Sequence, residues 1–269
     1  MLTVFKEVLS SLKYLWMCVC YNVKESVSNK KSFIIQTIAM FINNFVFIFF
    51  WQVLFSNKGG SINGINIRDI LFLWSIPTIG YGIALFCFGG VETLCNDIVD
   101  GNLDIYLTKP KSSLISTLTS RAHLSAMGDL LFGIVCGFVA VNFNPFKILY
   151  ILLLGVISGI ITTSVLASVR LLGFWLGDIS NAANKYTNSL FITLTIYPEK
   201  MFPGVIKLLM YTVIPAGYAA HIPVKLINKF SVSGALILIA SAIFFTTLMF
   251  VMYNKGLKRY ESGNAVTRR

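Results

Sequence analysis

The sequence predicts an all-α integral membrane protein: six transmembrane helices, an N-terminal amphipathic interfacial helix, and short re-entrant helices before the last span. Three observations predict it. Of the 269 residues, 56% are apolar or aromatic and only 12% carry a charge, against about a quarter charged in an ordinary soluble domain. The apolar residues come in long blocks, and about 20 residues at 1.5 Å rise cover the hydrocarbon core of a bilayer. Backbone polar groups find no water at that depth, which favours helices that satisfy them internally. The alternating ten-residue segments that a β-barrel needs are not what the sequence shows.

The elements follow in chain order. In 1–29, Val4, Val8, Leu12 and Leu15, joined by Phe5, Leu9 and Trp16, recur at helical spacing between Lys6, Glu7 and Lys13. Such a helix lies along the inner membrane surface. Lys30 and Lys31 precede the first span, 32–55. A polar Gly/Asn-rich turn, 56–69, leads to the second, 70–91, whose Pro77, Gly80 and Gly82 predict a bend or close packing rather than a break. The loop 92–123 is the most charged interior segment, and spans three and four occupy 124–143 and 148–169. Span five, 179–197, carries Asn181, Asn184, Lys185 and Asn188, with Asp178 just before it. It is too polar to face lipid and is expected to be shielded by neighbouring helices. Pro198, Pro203, Pro215 and Pro223 divide 198–229 into short apolar pieces, because proline lacks a donor and clashes with the preceding turn. These pieces are expected to enter and leave on one extracytoplasmic side. Span six, 231–253, precedes a basic tail.

With both termini inside, fifteen of the 22 Lys and Arg residues fall on the inner side and seven on the outer. The net charge of +11 therefore reads as a topology determinant, and no nucleic acid is expected as a partner. The five cysteines form no CxxC pair and have no histidine at ligand spacing, so they read as reduced, small apolar residues and no metal site is expected. The first apolar stretch is interrupted by Lys13 and lacks a small-residue cleavage site, unlike a signal peptide.

Catalytic chemistry finds little support. No GxxxxGK[ST] cradle for nucleotide phosphates exists, and the dipeptide Gly-Lys does not occur. HExxH, GxSxG and aspartate-rich motifs are missing too, and His123 and His221 fall on opposite predicted sides. No catalytic residue is expected, and any ATP hydrolysis is left to another chain. Ionisable groups in spans are functional candidates by default; here these are Asp129 and Asp178, both placed near the inner interface, where pairing with Lys185 or capping is the structural reading. Asn43 and Asn44 either hydrogen-bond across a helix contact or face a polar cavity. Three GxxxG patterns, Gly133/Gly137, Gly155/Gly159 and Gly173/Gly177, are expected to pack helices within one subunit.

The informative segment runs V-E-T-L-C-N-D-I-V-D-G-N-L-D-I-Y-L-T-K-P-K-S-S from Val91 to Ser113. Leu103 and Leu107 fall four apart on one face of a short helix stopped by Pro110; an ordinary solvated loop fits the pattern equally well. The glycine, the Leu-Asp pair, the next leucine and the basic-Pro step resemble the loop after span two in bacterial type-2 ABC exporter permeases. Y-P-E-K-M-F-P-G from Tyr197, I-P-A-G-Y from Ile214, I-P-V-K from Ile222 and G-L-K-R-Y-E-S-G from Gly256 resemble the same family.

In that family the loop forms a coupling helix that docks on the ATPase subunit, a role the resemblance carries onto Asp100, Gly101, Leu103, Asp104, Leu107, Lys109 and Pro110. It implies that Leu103 and Leu107 fill a groove on the ATPase while Asp104 and Lys109 fix orientation. It also implies two separate ATPase subunits holding ATP and Mg, and a second permease, identical or paralogous. The expected location is the bacterial cell membrane with both termini cytoplasmic, and the expected cargo is amphipathic: a drug, peptide or lipid. Tyr81, Phe86, Tyr186 and Phe191, around spans two and five, are the aromatic candidates for its path. An ion- or proton-coupled secondary transporter is the alternative, but such proteins usually show internal repeats and midplane charges. A membrane-embedded lipid enzyme would have to use Asp129 with Asp178.

Overall fold

The computed structural model describes residues 2–62, 64–109, 112–177 and 179–260, with the side chains of 2–9, 11, 12 and 26 outside the description. Pro110, Lys111, Asp178 and the tail 261–269 therefore lie outside the described residues.

The chain is all-α apart from one small hairpin. Helix α1 (Leu2–Ser28) is followed by α2 (Lys30–Ser56), whose N-terminus is capped by the Asn29 side chain accepting from Ser32 N. Strands β1 (Ser61–Ile62) and β2 (Ile65–Asn66) pair antiparallel, Ser61 with Asn66 and Ile62 with Ile65. Helix α3 (Ile67–Cys87) opens on a capping box between Asn66 and Asp69 and runs unbroken through Pro77. Three short helices, α4 (Leu94–Val99), α5 (Asp104–Leu107) and α6 (Ser113–Leu118), build the following loop. Then come α7 (Ala126–Ala140), α8 (Pro145–Arg170), α9 (Gly173–Leu176) and α10 (Ile179–Ile196). The proline-rich stretch forms α11 (Gly204–Thr212), α12 (Ala216–Ala219) and α13 (His221–Asn228), and α14 (Val232–Leu257) closes the described chain.

Helix α3 is the central element, gripped on two sides by α7 and α8. Small residues permit this. A Cβ on Gly80 would lie 2.5 Å from Ser158 Oγ and 2.9 Å from Gly159 N on α8, and one on Gly82 would lie 2.9 Å from Leu130 N on α7. The GxxxG pairs answer from the other side: Gly133 and Gly137 of α7 meet Ser75 and Ile79, and Gly155 and Gly159 of α8 meet Ile79 and Gly80. The Ser75 hydroxyl donates to Gly133 O at 2.8 Å, and the Ser158 hydroxyl to Ala219 O at 2.6 Å. Both patterns thus pack within one subunit, as close backbone approach requires. The third does something else: Gly177 has φ 55 and terminates α9. Gly80→Val is expected to cost about 1–3 kcal/mol by forcing α3 off α8. A lowered unfolding temperature in detergent checks this, with Gly204→Val, which meets nothing within 4 Å, as the unaffected control.

Among the described residues, four helices are long and apolar enough to cross a membrane: Lys30–Ser56, Ile67–Cys87, Pro145–Leu176 and Val232–Leu257. Counting Gly204–Thr212 with Ala216–Asn228, a pair bent by 78°, as one span makes five. Two predicted spans fall outside this test. Helix α7 has 15 residues, about 22 Å, less than the roughly 30 Å hydrocarbon core, and is shorter than the predicted 124–143. The chain turns at Asn142 and Phe143, with φ 52 and 59, and Ala126 N bonds to His123 O in a turn before the helix. Helix α10 has 18 residues, but its asparagines and Lys185 keep it below the apolarity of the other four.

Candidate functional site: the 92–123 loop and an interhelical cavity

The loop is tied at its root. Glu92 Oε2 and His123 Nε2 stand 3.1 Å apart, and His123 N–H donates to Leu85 O. Inside it, Asp97 is buried, accepts from the Thr93 hydroxyl at 3.0 Å through Oδ2, and takes Leu103 N–H on its backbone oxygen. Burial raises the Asp97 carboxyl above the usual carboxylate range, with the Thr93 hydrogen bond and Arg121 pulling the other way. Gly101 turns the chain between α4 and α5 at φ 79, a left-handed conformation that glycine adopts without steric cost.

Both ends of the chain hold this loop. The Tyr260 hydroxyl donates to Gly101 O at 2.8 Å, and the Tyr253 hydroxyl to Ser113 Oγ at 2.7 Å. Burial, then the neighbouring Asp104 carboxylate, pushes the Tyr260 phenol up to about 12. The Phe174 ring packs edge-on against both tyrosines, at 6.2 and 6.1 Å. From α1, Tyr14 Oη lies 2.9 Å from Ser116 Oγ, and Asn22 Nδ2 donates to Thr119 O at 2.9 Å.

The structure divides the two leucines that the sequence places on one face. Leu103 is 0% exposed, in the core with Leu94, Leu114 and Leu118, whereas Leu107 is 41% exposed and Ile105 65%. Leu103 has helical backbone angles and accepts the Leu107 N–H at 3.2 Å, so the two lie one turn apart; Leu103 packs into the core and Leu107 stands at its rim. Of the other coupling positions, Asp100 and Lys109 are exposed, Gly101 and Asp104 half-buried, and Lys109 Nζ sits 4.8 Å from the Tyr106 ring centroid. Sequence reasoning missed Ile105, Asp97 and Tyr260. The Thr93–Asp97 spacing of four was a usable sign for the second; Tyr260 stood inside the G-L-K-R-Y-E-S-G stretch without being singled out, and nothing local marks Ile105.

A cavity of about 400 Å³ opens between α2, α3, α7, α8 and α10. Tyr81 and Phe191, two of the four predicted path aromatics, line it. The other two do not: Phe86 is buried elsewhere in the core, and Tyr186 is 72% exposed on α10. Asn43, Asn44 and Asp129 also line it, and Asn44 Nδ2 donates to Asp129 Oδ1 at 2.7 Å. Asn44 thus does both things its sequence left open, bridging α2 to α7 and facing a cavity. Lys185 is exposed on α10, and Asp129 is held by Asn44. Among the described residues no three His, Cys, Asp or Glu side chains gather to hold a metal.

At the other end, Glu199 pairs with Lys225 and, at 3.7 Å, with Lys207, and Lys200 Nζ donates to Gly64 O. Burial pushes the Glu199 carboxyl up, but the Lys225 hydrogen bond and charge, helped by His221 and Lys207, hold it below the usual range. A depressed carboxylate contributes stability that is present above its unfolded value and lost as pH falls through its folded one. Glu199→Gln is therefore expected to melt lower than the parent at neutral pH. Thermal scans across a pH series should show that gap closing on acidification, below the ordinary glutamate range.

Long apolar helices packed around α3 define a multi-pass α-helical membrane protein. A family model described as ABC-2 family transporter protein matches residues 41–264. The chain belongs to that family of membrane transport components. Searches of curated proteins and of solved structures gave no match.

Proposed function

We propose that this chain is the permease subunit of an ABC exporter for amphipathic cargo, powered by two separate ATPase subunits that carry ATP and Mg and dock on the 92–123 loop. The observation that carries it is the build of that loop: a rigid knob braced from α1 and from Tyr260, with apolar Ile105 and Leu107 turned outward. A side-chain pair exposed on a braced surface suits docking on another protein better than it suits water. Asp100, Asp104 and Lys109 supply the polar rim, and Leu103 anchors the knob from within.

Six spans remain the proposed topology, with α7 and α10 added to the four apolar helices. Helix α7 packs against α2 and α3 on one side and turns Leu131, Val135 and Val139 outward on the other, an apolar stripe suited to lipid. On α10, Asn181, Lys185, Ser189 and Thr193 are all exposed at a spacing of four. Polar groups facing hydrocarbon are costly, and a second permease across a wet path would remove that cost. The excess of basic residues favours cytoplasmic termini in a bacterial cell membrane. ATP binding would then draw the ATPases together, move the docked loops and tilt each permease as a largely rigid body. The nucleotide biases this switch only through tighter binding to one arrangement. Purification of the tagged chain in mild detergent tests the reading: an ATPase chain should accompany it at about one per permease. A permease that purifies alone from its native membrane under these conditions would overturn it.

A further inference from the structure

We infer that the cavity between α2, α3, α7, α8 and α10 is a binding site for a lipophilic cation, held at one end by Asp129. The inference rests on the permease reading and narrows its cargo from amphipathic to cationic amphipathic. The lining carries one carboxylate and, among the described residues, no basic side chain. That carboxylate is 4% exposed, and the hydrogen bond that holds it comes from a single neutral amide, Asn44. A carboxylate removed from water needs an opposite charge or several donors, and this one faces a space of about 400 Å³, within the range of small-molecule sites.

The rest of the lining suits the body of such a ligand. Phe47 stacks on Trp74 with ring centroids 4.1 Å apart, and Phe50 lies beyond them on α2. Seven residues of helix put Phe50 about 10 Å from Asn43 along α2. The site therefore has a polar head end at Asn43, Asn44 and Asp129 and an aromatic far end. Aromatic faces favour cations as well as apolar surface, so neither end selects for an anion.

The test uses the full chain in lipid nanodiscs without ATPase, and two probes that share three phenyl rings: methyltriphenylphosphonium and neutral triphenylphosphine oxide. Equilibrium dialysis against empty nanodiscs subtracts partition into lipid. The cation is expected to bind about ten-fold or more tightly than the neutral probe, with the preference lost in Asp129→Asn and kept in Asp129→Glu. Equal binding of the two probes, no binding above empty discs, or a preference that survives Asp129→Asn would overturn the inference. If Asp129→Asn does not fold, the charge preference of the unmodified chain decides by itself. Because no ATPase is present, a permease that purifies alone would sink the docking reading without altering this result. A missing cation preference would leave docking untouched.

Discussion

Carrying Ile105→Asp and Leu107→Asp together, the chain is expected to purify folded, melt like its parent, and come away from the membrane without its ATPase. Both side chains point outward, at 65% and 41% exposure, so a carboxylate at either position meets water in the isolated subunit and costs the fold little. In a docked complex the same carboxylates would be pressed into an apolar groove. Central apolar contacts of this kind each contribute about 2 kcal/mol or more to association, and two of them correspond to roughly a thousand-fold in affinity. Co-purification and stimulated ATPase activity should both fall to background, while unfolding temperature and elution volume stay put. An undiminished ATPase yield would assign docking to another surface.

Leu103→Asp should behave in the opposite way, failing as a fold before docking is ever tested. Leu103 is fully enclosed in the core it shares with Leu94, Leu114 and Leu118. Removing such a side chain leaves a cavity worth about 2–5 kcal/mol, and burying an unpaired carboxylate adds several more. Against the roughly 5–15 kcal/mol that separates folded from unfolded in an ordinary domain, that loss is decisive. Low yield and a collapsed melting transition are expected, with Leu103→Met close to the parent. A parent-like melt for Leu103→Asp would mean that this side chain faces outward after all.

The contrast between these neighbouring leucines shows where sequence reasoning stops. The long helices α2, α3, α8 and α14 are legible because an unbroken apolar run of sufficient length has few other fates in a chain this poor in charge. The glycines of α7 and α8 are legible as packing sites because their spacing puts both members on one face. Periodicity says nothing useful about α5, which is a single turn; its inward side is set by packing on the neighbouring α6 and by the bond from the distant Tyr260 to Gly101. The end of α7 is legible only to within a few residues: Asn144 and Pro145 mark the start of α8, but the positive φ of Phe143, unusual for a bulky residue, stops the helix at Ala140 already. Asn44 and Asp129 each stand out alone as polar residues in apolar blocks, but their pairing spans 85 positions. Tyr186 and Phe86 share composition with Tyr81 and Phe191; only the packing of neighbours tells which aromatics meet the cavity.

The bond from Tyr260 to Gly101 joins positions 159 apart. During synthesis Gly101 emerges long before Tyr260 has been made, and its carbonyl waits without this partner until the residue 159 positions further on has been added. The loop therefore reaches its final form only after α14 has been made. A chain cut short just after Leu257 would carry every membrane-capable helix found among the described residues and still lack the bond that finishes the turn at Gly101.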